Sequence, residues 1–281
     1  MRLTTYRTAT GLAVGRVDGR GDPDDTVVSI EGFTDVGALL VTPDWRRRAE
    51  AAGGTRQRLG DLDLACVVPS PSKVICVGLN YRTHILEMGR ELPEFPTLFA
   101  KFTATLTGPY DDLPAPPEDD ALDWEAELTV VVGERARRVS GTAAEQAIAG
   151  FTVANDISMR TWQFRTKEWL QGKIWQSSTP VGPFLVTSDE WQPGPVVSAS
   201  VNQEQMQSAP TSDLLFSPTD LVSYVSTMIA LEPGDLILTG TPGGVGRART
   251  PARYLTAGDV VETSIEGLGT LHNQVVAEKV D

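Results

Sequence analysis

The chain has 281 residues, 41% of them apolar, and a formal net charge of −13 with a pI near 4.6. That apolar content suits one large core with a smaller appendage, and the acidic balance argues against a broad nucleic-acid or anionic-membrane surface. An anionic substrate stays compatible, because it needs only local positive charge within a Debye length of roughly 10 Å.

Cys66 and Cys76 have no CxxC partner and no nearby histidine, so no disulfide framework is expected. The opening MRLTTYRTATGLAVG lacks a continuous apolar run and a cleavage site. No segment approaches the ~18 apolar residues of a membrane span. The expectation is a soluble, cytoplasmic protein.

Residues 1–70 read as a small N-terminal α/β unit, and residues 71–281 as the catalytic domain. Strand-like residues at 4–17 and 26–30 are broken by Gly and Asp-Pro turns. Residues 42–52 predict a helix with Asp44 as cap. VVPSPSK at 67–73 leads into the main domain. There follow a strand at 74–77, a strand at 124–132 that turns uniformly apolar, a helix at 142–149 and a strand at 151–155. A helix is expected at 161–171, stopped by Gly172, and the clearest helix lies at 218–231, with Leu221, Tyr224, Val225 and Met228 on one stripe. Strands at 236–239 and 260–265 complete the pattern. Short strands, few helices and many Gly and Pro turns predict an α+β, β-rich roll or sandwich rather than a doubly wound sheet.

Chemistry concentrates in DWEAEL, residues 123–128. On a strand, Asp123, Glu125 and Glu127 share a face. Carboxylates leading straight into an apolar strand are costly unless paired or metal-bound. Alone, E-x-E reads better as a solvated strand edge. Asp156, just after the apolar strand FTVAN, adds a third acid at a strand end, and all-oxygen ligation then suits Mg²⁺ or Mn²⁺. Arg160 and Lys173 are the cations that can offset the remaining charge. Asp123 reads either as an acid orienting a metal water or Lys173, or as solvent-facing.

His84 and Glu87 stand three apart, on one side of a helical turn. A neighbouring carboxylate raises an imidazole's pKa and orients it, as a general base working near neutrality requires. Taken alone, the pair reads better as an exposed helix pair. Lys173 should have a lowered pKa unless an anion is near. GTPGGVG at 240–246 lacks the G-K-[ST] ending of a nucleotide loop, and a turn offering N–H groups to a carboxylate is the better reading. His272 reads as structural or surface.

GLNYRTHILEMG (78–89), DWEAELTVVVG (123–133), ANDISMR (154–160), QGK (171–173), TPVGP (179–183), SYVSTMIALEPGDLILTGTPGGVG (223–246) and AGDVVETSIEGLGTL (257–271) occur in that order. Together they resemble the fumarylacetoacetate hydrolase family over about three-quarters of the chain. The resemblance implies a β-rich mixed sandwich roll, a homodimer, and one Mg²⁺ or Mn²⁺ per chain on Glu125, Glu127 and Asp156. It implies His84 and Glu87 as an acid/base pair on a short lid, and Lys173 contacting substrate or a metal-bound water. Arg160, Gln163 and Thr241 become substrate contacts.

The implied substrate is a small 2-oxo acid activated at C3. The His-Glu pair is most needed for hydrolysis or proton transfer, and hydrolysis of a C–C bond, in an acylpyruvate or fumarylpyruvate, is ranked first. Isomerisation, tautomerisation or decarboxylation of a related diacid (5-carboxymethyl-2-hydroxymuconate or oxaloacetate) is the alternative. A metal–oxo-acid binding protein without turnover is the non-enzymatic reading, and it would have no use for a base.

Overall fold

Seven consecutive buried residues, Ala126–Val132, form the strand on which the fold is built in this computed structural model, which describes residues 1–87 and 89–279. It pairs antiparallel with Ile148–Asn155 on one side and Leu236–Leu238 on the other. Its apolar run follows from burial on both faces. Leu128, Val130 and Val132 enter one core, and Val131 enters the other.

The sheet has eleven strands. From one edge it runs Arg56–Arg58, Thr26–Ser29, Gly11–Asp18, Arg2–Thr8, Thr179–Thr187, Ile148–Asn155, Ala126–Val132, Leu236–Leu238, Val74–Gly78 and Thr97–Lys101, and Leu106–Thr107 joins Thr179–Thr187. The pairing is mostly antiparallel, but Leu236–Leu238 runs parallel to Val74–Gly78, so the sheet is mixed. A second sheet, Glu204–Pro210, Val196–Val201, Val260–Ile265, Gly269–Ala277 and Leu113–Ala115, packs on one face. There Phe151, Val153 and Val186 share a core with Val197, Val261 and Leu271. On the other face lie Leu39, Leu40 and Trp45 from the helices Val36–Leu40 and Trp45–Glu50. This is the β-rich α+β architecture expected from the sequence.

The leading strands are hydrogen-bonded into the same sheet. Arg2 pairs with Val186 and Leu3 with Leu185, so the ladder runs unbroken from the N-terminal strands to those that carry the site. Asp44 occupies the N-cap of Trp45–Glu50, but its carboxylate accepts from Arg47 and Arg48 instead of capping the helix. Ser217 and Asp220 form a reciprocal capping box for the helix Pro218–Met228.

The helix expected at 142–149 ends at Gln146, the one at 218–231 ends at Met228, and two expected elements differ at the site. The strand expected from 124 starts at Ala126, because the Glu125 N–H donates to Asn155 Oδ1 and its carbonyl accepts from Asp156 N–H. Glu125 is pinned to the neighbouring strand end, outside the regular pleat. The helix expected at 161–171 is two short pieces, Arg160–Gln163 and the 3₁₀ turn Trp169–Gly172. Between them the Thr166 hydroxyl bonds the Glu168 carbonyl, a local turn that competes with helix. Among the described residues no helix is long and apolar enough to cross a membrane.

Candidate active site

Two strand ends bring the acids together. Glu127 lies in Ala126–Val132, Glu125 just before it, and Asp156 directly after Ile148–Asn155. One carboxylate oxygen from each lies within 4.8 Å of the others. Glu127 and Asp156 are buried, and Glu125 keeps 12% side-chain exposure toward the cavity. Only Glu127 of the three has no ion pair among the described residues. The Gly240 N–H donates to its Oε2 at 2.7 Å. Burial, with the charges of Asp156 and Glu125, pushes its carboxyl well above the usual range.

Cations bracket the cluster. Lys173 Nζ lies 2.8 Å from Glu125 Oε2 and 2.7 Å from Asp156 Oδ2. Lys101, which the sequence reading did not single out, donates to Asp156 Oδ1 from the end of Thr97–Lys101. Burial would push the Asp156 carboxyl up, yet the two lysines outweigh it and hold it below the ordinary range. Burial would lower the Lys173 pKa, but Asp156 and Glu125 raise it. Arg160 reaches Asp123 through Nε at 2.8 Å and Glu125 at 2.7 Å, and donates to Gln163 Oε1.

Asp123 does not share the cation-facing side with Glu125 and Glu127, because the chain leaves the strand at Trp124 and Glu125. Instead it is fully buried and accepts from Arg160 Nε and from the backbone N–H groups of Trp124, Gly246 and Arg247. It therefore orients Arg160, rather than Lys173, and pins the loop after GTPGGV. That loop does present N–H groups to carboxylates, and the acceptors are the protein's own Glu127 and Asp123. Gly240 stands at φ +100°, and a Cβ there would come within 2.9 Å of the Val77 carbonyl. A side chain at that position would dislodge the amide that holds Glu127.

Glu125, Lys173 and Arg160 bring the cluster to a cavity of about 460 Å³, lined also by His84, Arg90, Phe99, Gln163, Phe164, Trp169, Thr241 and Arg247. Gln207, unmarked in the sequence, fixes Thr241. It is buried, its Nε2 donates to Thr241 Oγ1 at 2.8 Å, and its Oε1 accepts from Ala126 N–H. The Thr241 oxygen is engaged as acceptor, which leaves its O–H free to donate into the cavity.

His84 and Glu87 lie on the helix Arg82–Glu87, held by Thr83 to Asp213 through 3.0 Å bonds from its N–H and hydroxyl. Both face Gly243, where an added Cβ would sit 2.9 Å from His84 Nδ1 and 3.6 Å from Glu87 Oε2. The pKa expectation is reversed here. Burial outweighs Glu87 and Glu125, and the His84 pKa is lowered. His272 is exposed beside Glu262, remote from the cavity lining.

The sequence profile of the fumarylacetoacetate (FAA) hydrolase C-terminal domain matches residues 73–276. The chain belongs to the fumarylacetoacetate hydrolase family. It is 45% identical over 212 residues to the rat (Rattus norvegicus) protein named oxaloacetate tautomerase Fahd2a, mitochondrial, covering 74% of this chain and 68% of that protein. The structure superposes on a Mycobacterium smegmatis 5-carboxymethyl-2-hydroxymuconate delta-isomerase with TM-score 0.83 and 32% identity, over 100% of both chains. It superposes on a fumarylacetoacetate hydrolase from Exiguobacterium antarcticum with TM-score 0.87 and 30% identity, over 99% of this chain and 100% of that one. Family members are thus named as enzymes of several reaction types. These names back the isomerase or tautomerase alternative over the C–C hydrolysis ranked first from the sequence.

Proposed function

We propose that this chain tautomerises or isomerises a small 2-oxo diacid, with oxaloacetate as the leading substrate, using a divalent cation. The observation that carries the reading is the three-carboxylate cluster whose Glu125 opens into the cavity lined by the half-buried His84. Glu125, Glu127 and Asp156 fit a hard cation: all donors are oxygens, and Glu127 is charged only at high cost without a cation. Mg²⁺ or Mn²⁺, one per chain, would supply Lewis acidity toward the 2-oxo oxygen. Four carboxylates (Asp123, Glu125, Glu127, Asp156) face three cations (Lys101, Lys173, Arg160), a net −1 that a divalent ion turns to +1. That sign suits an anionic acid.

Tautomerisation moves one proton between the enol oxygen and C3 and breaks no carbon–carbon bond. His84, kept neutral by burial, is the group to carry it, and the Glu87 charge favours the imidazolium that forms. Thr241 donates its O–H to the substrate carboxylate, with Gln207 fixing its direction. Lys173 and Arg160 hold Glu125 in place, and Gln163 fixes Arg160. A cytoplasmic homodimer belongs to the same proposal, and light scattering on the purified chain tests the dimer.

The test follows enol loss from oxaloacetate with Mg²⁺ or Mn²⁺ and after chelation, beside acetylpyruvate and 5-carboxymethyl-2-hydroxymuconate. Turnover should need the metal, and His84→Gln should slow it by roughly 10²–10⁴-fold. Enol loss that survives both chelation and His84→Gln sinks the reading. Faster cleavage of acetylpyruvate than loss of enol would restore C–C hydrolysis.

A further inference from the structure

The cations of the cavity fall into two groups. Lys173 and Arg160, which line it, and Lys101 behind them on Asp156 are consumed by carboxylates. Arg90 and Arg247 line the same cavity, yet neither makes an ion pair among the described residues. In a chain of net charge −13, two unpaired guanidinium groups at one mouth create a local site for an anion.

Arg247 is also held in place. Its backbone N–H donates to Asp123 Oδ2 at 3.0 Å, the carboxylate that anchors Arg160. Its guanidinium lies 3.9 Å from the centroid of Phe164, itself a cavity residue. Stacking holds the planar fork without using its N–H donors, so little freedom is lost when those donors meet a carboxylate. Arg249, two residues on, is instead spent on Glu204 at 3.2 Å and does not line the cavity.

We infer that Arg247, assisted by Arg90, is the subsite for the second carboxylate of a dicarboxylic 2-oxo acid. The inference rests on the reading that the cavity takes 2-oxo acids. A divalent cation on Glu125, Glu127 and Asp156, with Thr241, would take the head common to all such acids, and Arg247 separates diacids from acids that end in a methyl group.

Titration calorimetry of the Mg²⁺-loaded full chain with 2-oxoglutarate and 2-oxopentanoate, two acids of equal chain length, measures that discrimination as a ratio of Kd values. The wild type should favour the diacid by roughly tenfold or more, and the preference should shrink with added salt. Arg247→Ala should bring the ratio near one, Arg247→Lys should restore part of it, and Arg249→Ala should keep it. A wild-type ratio near one, or a ratio unchanged in Arg247→Ala, overturns the inference. Failure of enol-oxaloacetate turnover with the ratio intact would sink the tautomerase reading alone.

Discussion

Asp18 and Asp156 are each clamped by two cations, at opposite extremes of exposure. Asp18 accepts from Arg16 at 2.8 Å and Arg56 at 3.1 Å, near the outer edge of the large sheet, with 35% side-chain exposure. Asp156 meets Lys101 and Lys173 with no exposure at all. Both carboxyls are held below the ordinary range. At Asp18 water would solvate any charge left alone, so the clamp adds little to stability. Its service is to line the edge near Arg56–Arg58 with charge, which discourages pairing with another chain. At Asp156 the low-dielectric surroundings make each partner indispensable to the others.

The largest effect should come from breaking the buried clamp on one side only. Lys101→Met leaves Asp156 facing Lys173 alone and should cost about 3–5 kcal/mol of unfolding free energy. Urea titration reads this as a lower midpoint at unchanged slope. A loss below about 1 kcal/mol, the surface value, would show that burial does not separate the two aspartates.

Lys101 also marks where the sequence stopped being legible. In TLFAK a terminal lysine looks like an exposed strand end, and only tertiary neighbours bury it. A signal was present, since Phe99 and Lys101 share a strand face and Phe99 lines the cavity. Glu125, Glu127 and Asp156 were readable because each sits beside an apolar strand whose pattern survives in the fold. Asp123 was misplaced because two-residue alternation was carried across Glu125, where a bond to Asn155 ends the pleat. Gln207 carried no mark, as its role comes entirely from Ala126 and Thr241, distant in sequence. The nine-residue buried strand Thr179–Thr187 was hidden by its two prolines and a glycine.

His84 lies between the extremes and should show an intermediate effect. Burial depresses its pKa against the raising influence of Glu87 and Glu125. The acid limb of the kcat/KM profile should therefore fall below 6.5, the ordinary histidine value, with activity persisting as pH drops through it. Glu87→Gln removes a charge that favours imidazolium and should move the limb lower still. A limb above 6.5 would mean that the carboxylates, not burial, govern this histidine.

The smallest effect belongs to the exposed clamp. Asp18→Ala should change stability by less than about 1 kcal/mol at neutral pH. The sign with pH follows from its lowered pKa: whatever Asp18 contributes is present above its ordinary 3.8 and is lost as pH falls below that value. Stability curves of the wild type and Asp18→Ala should therefore converge in acid, and added salt should narrow their gap at neutrality. A gap as large as that of Lys101→Met would mean that Asp18 holds the sheet edge through Arg16, whose guanidinium also donates to the Ala49 and Glu50 carbonyls of the covering helix Trp45–Glu50.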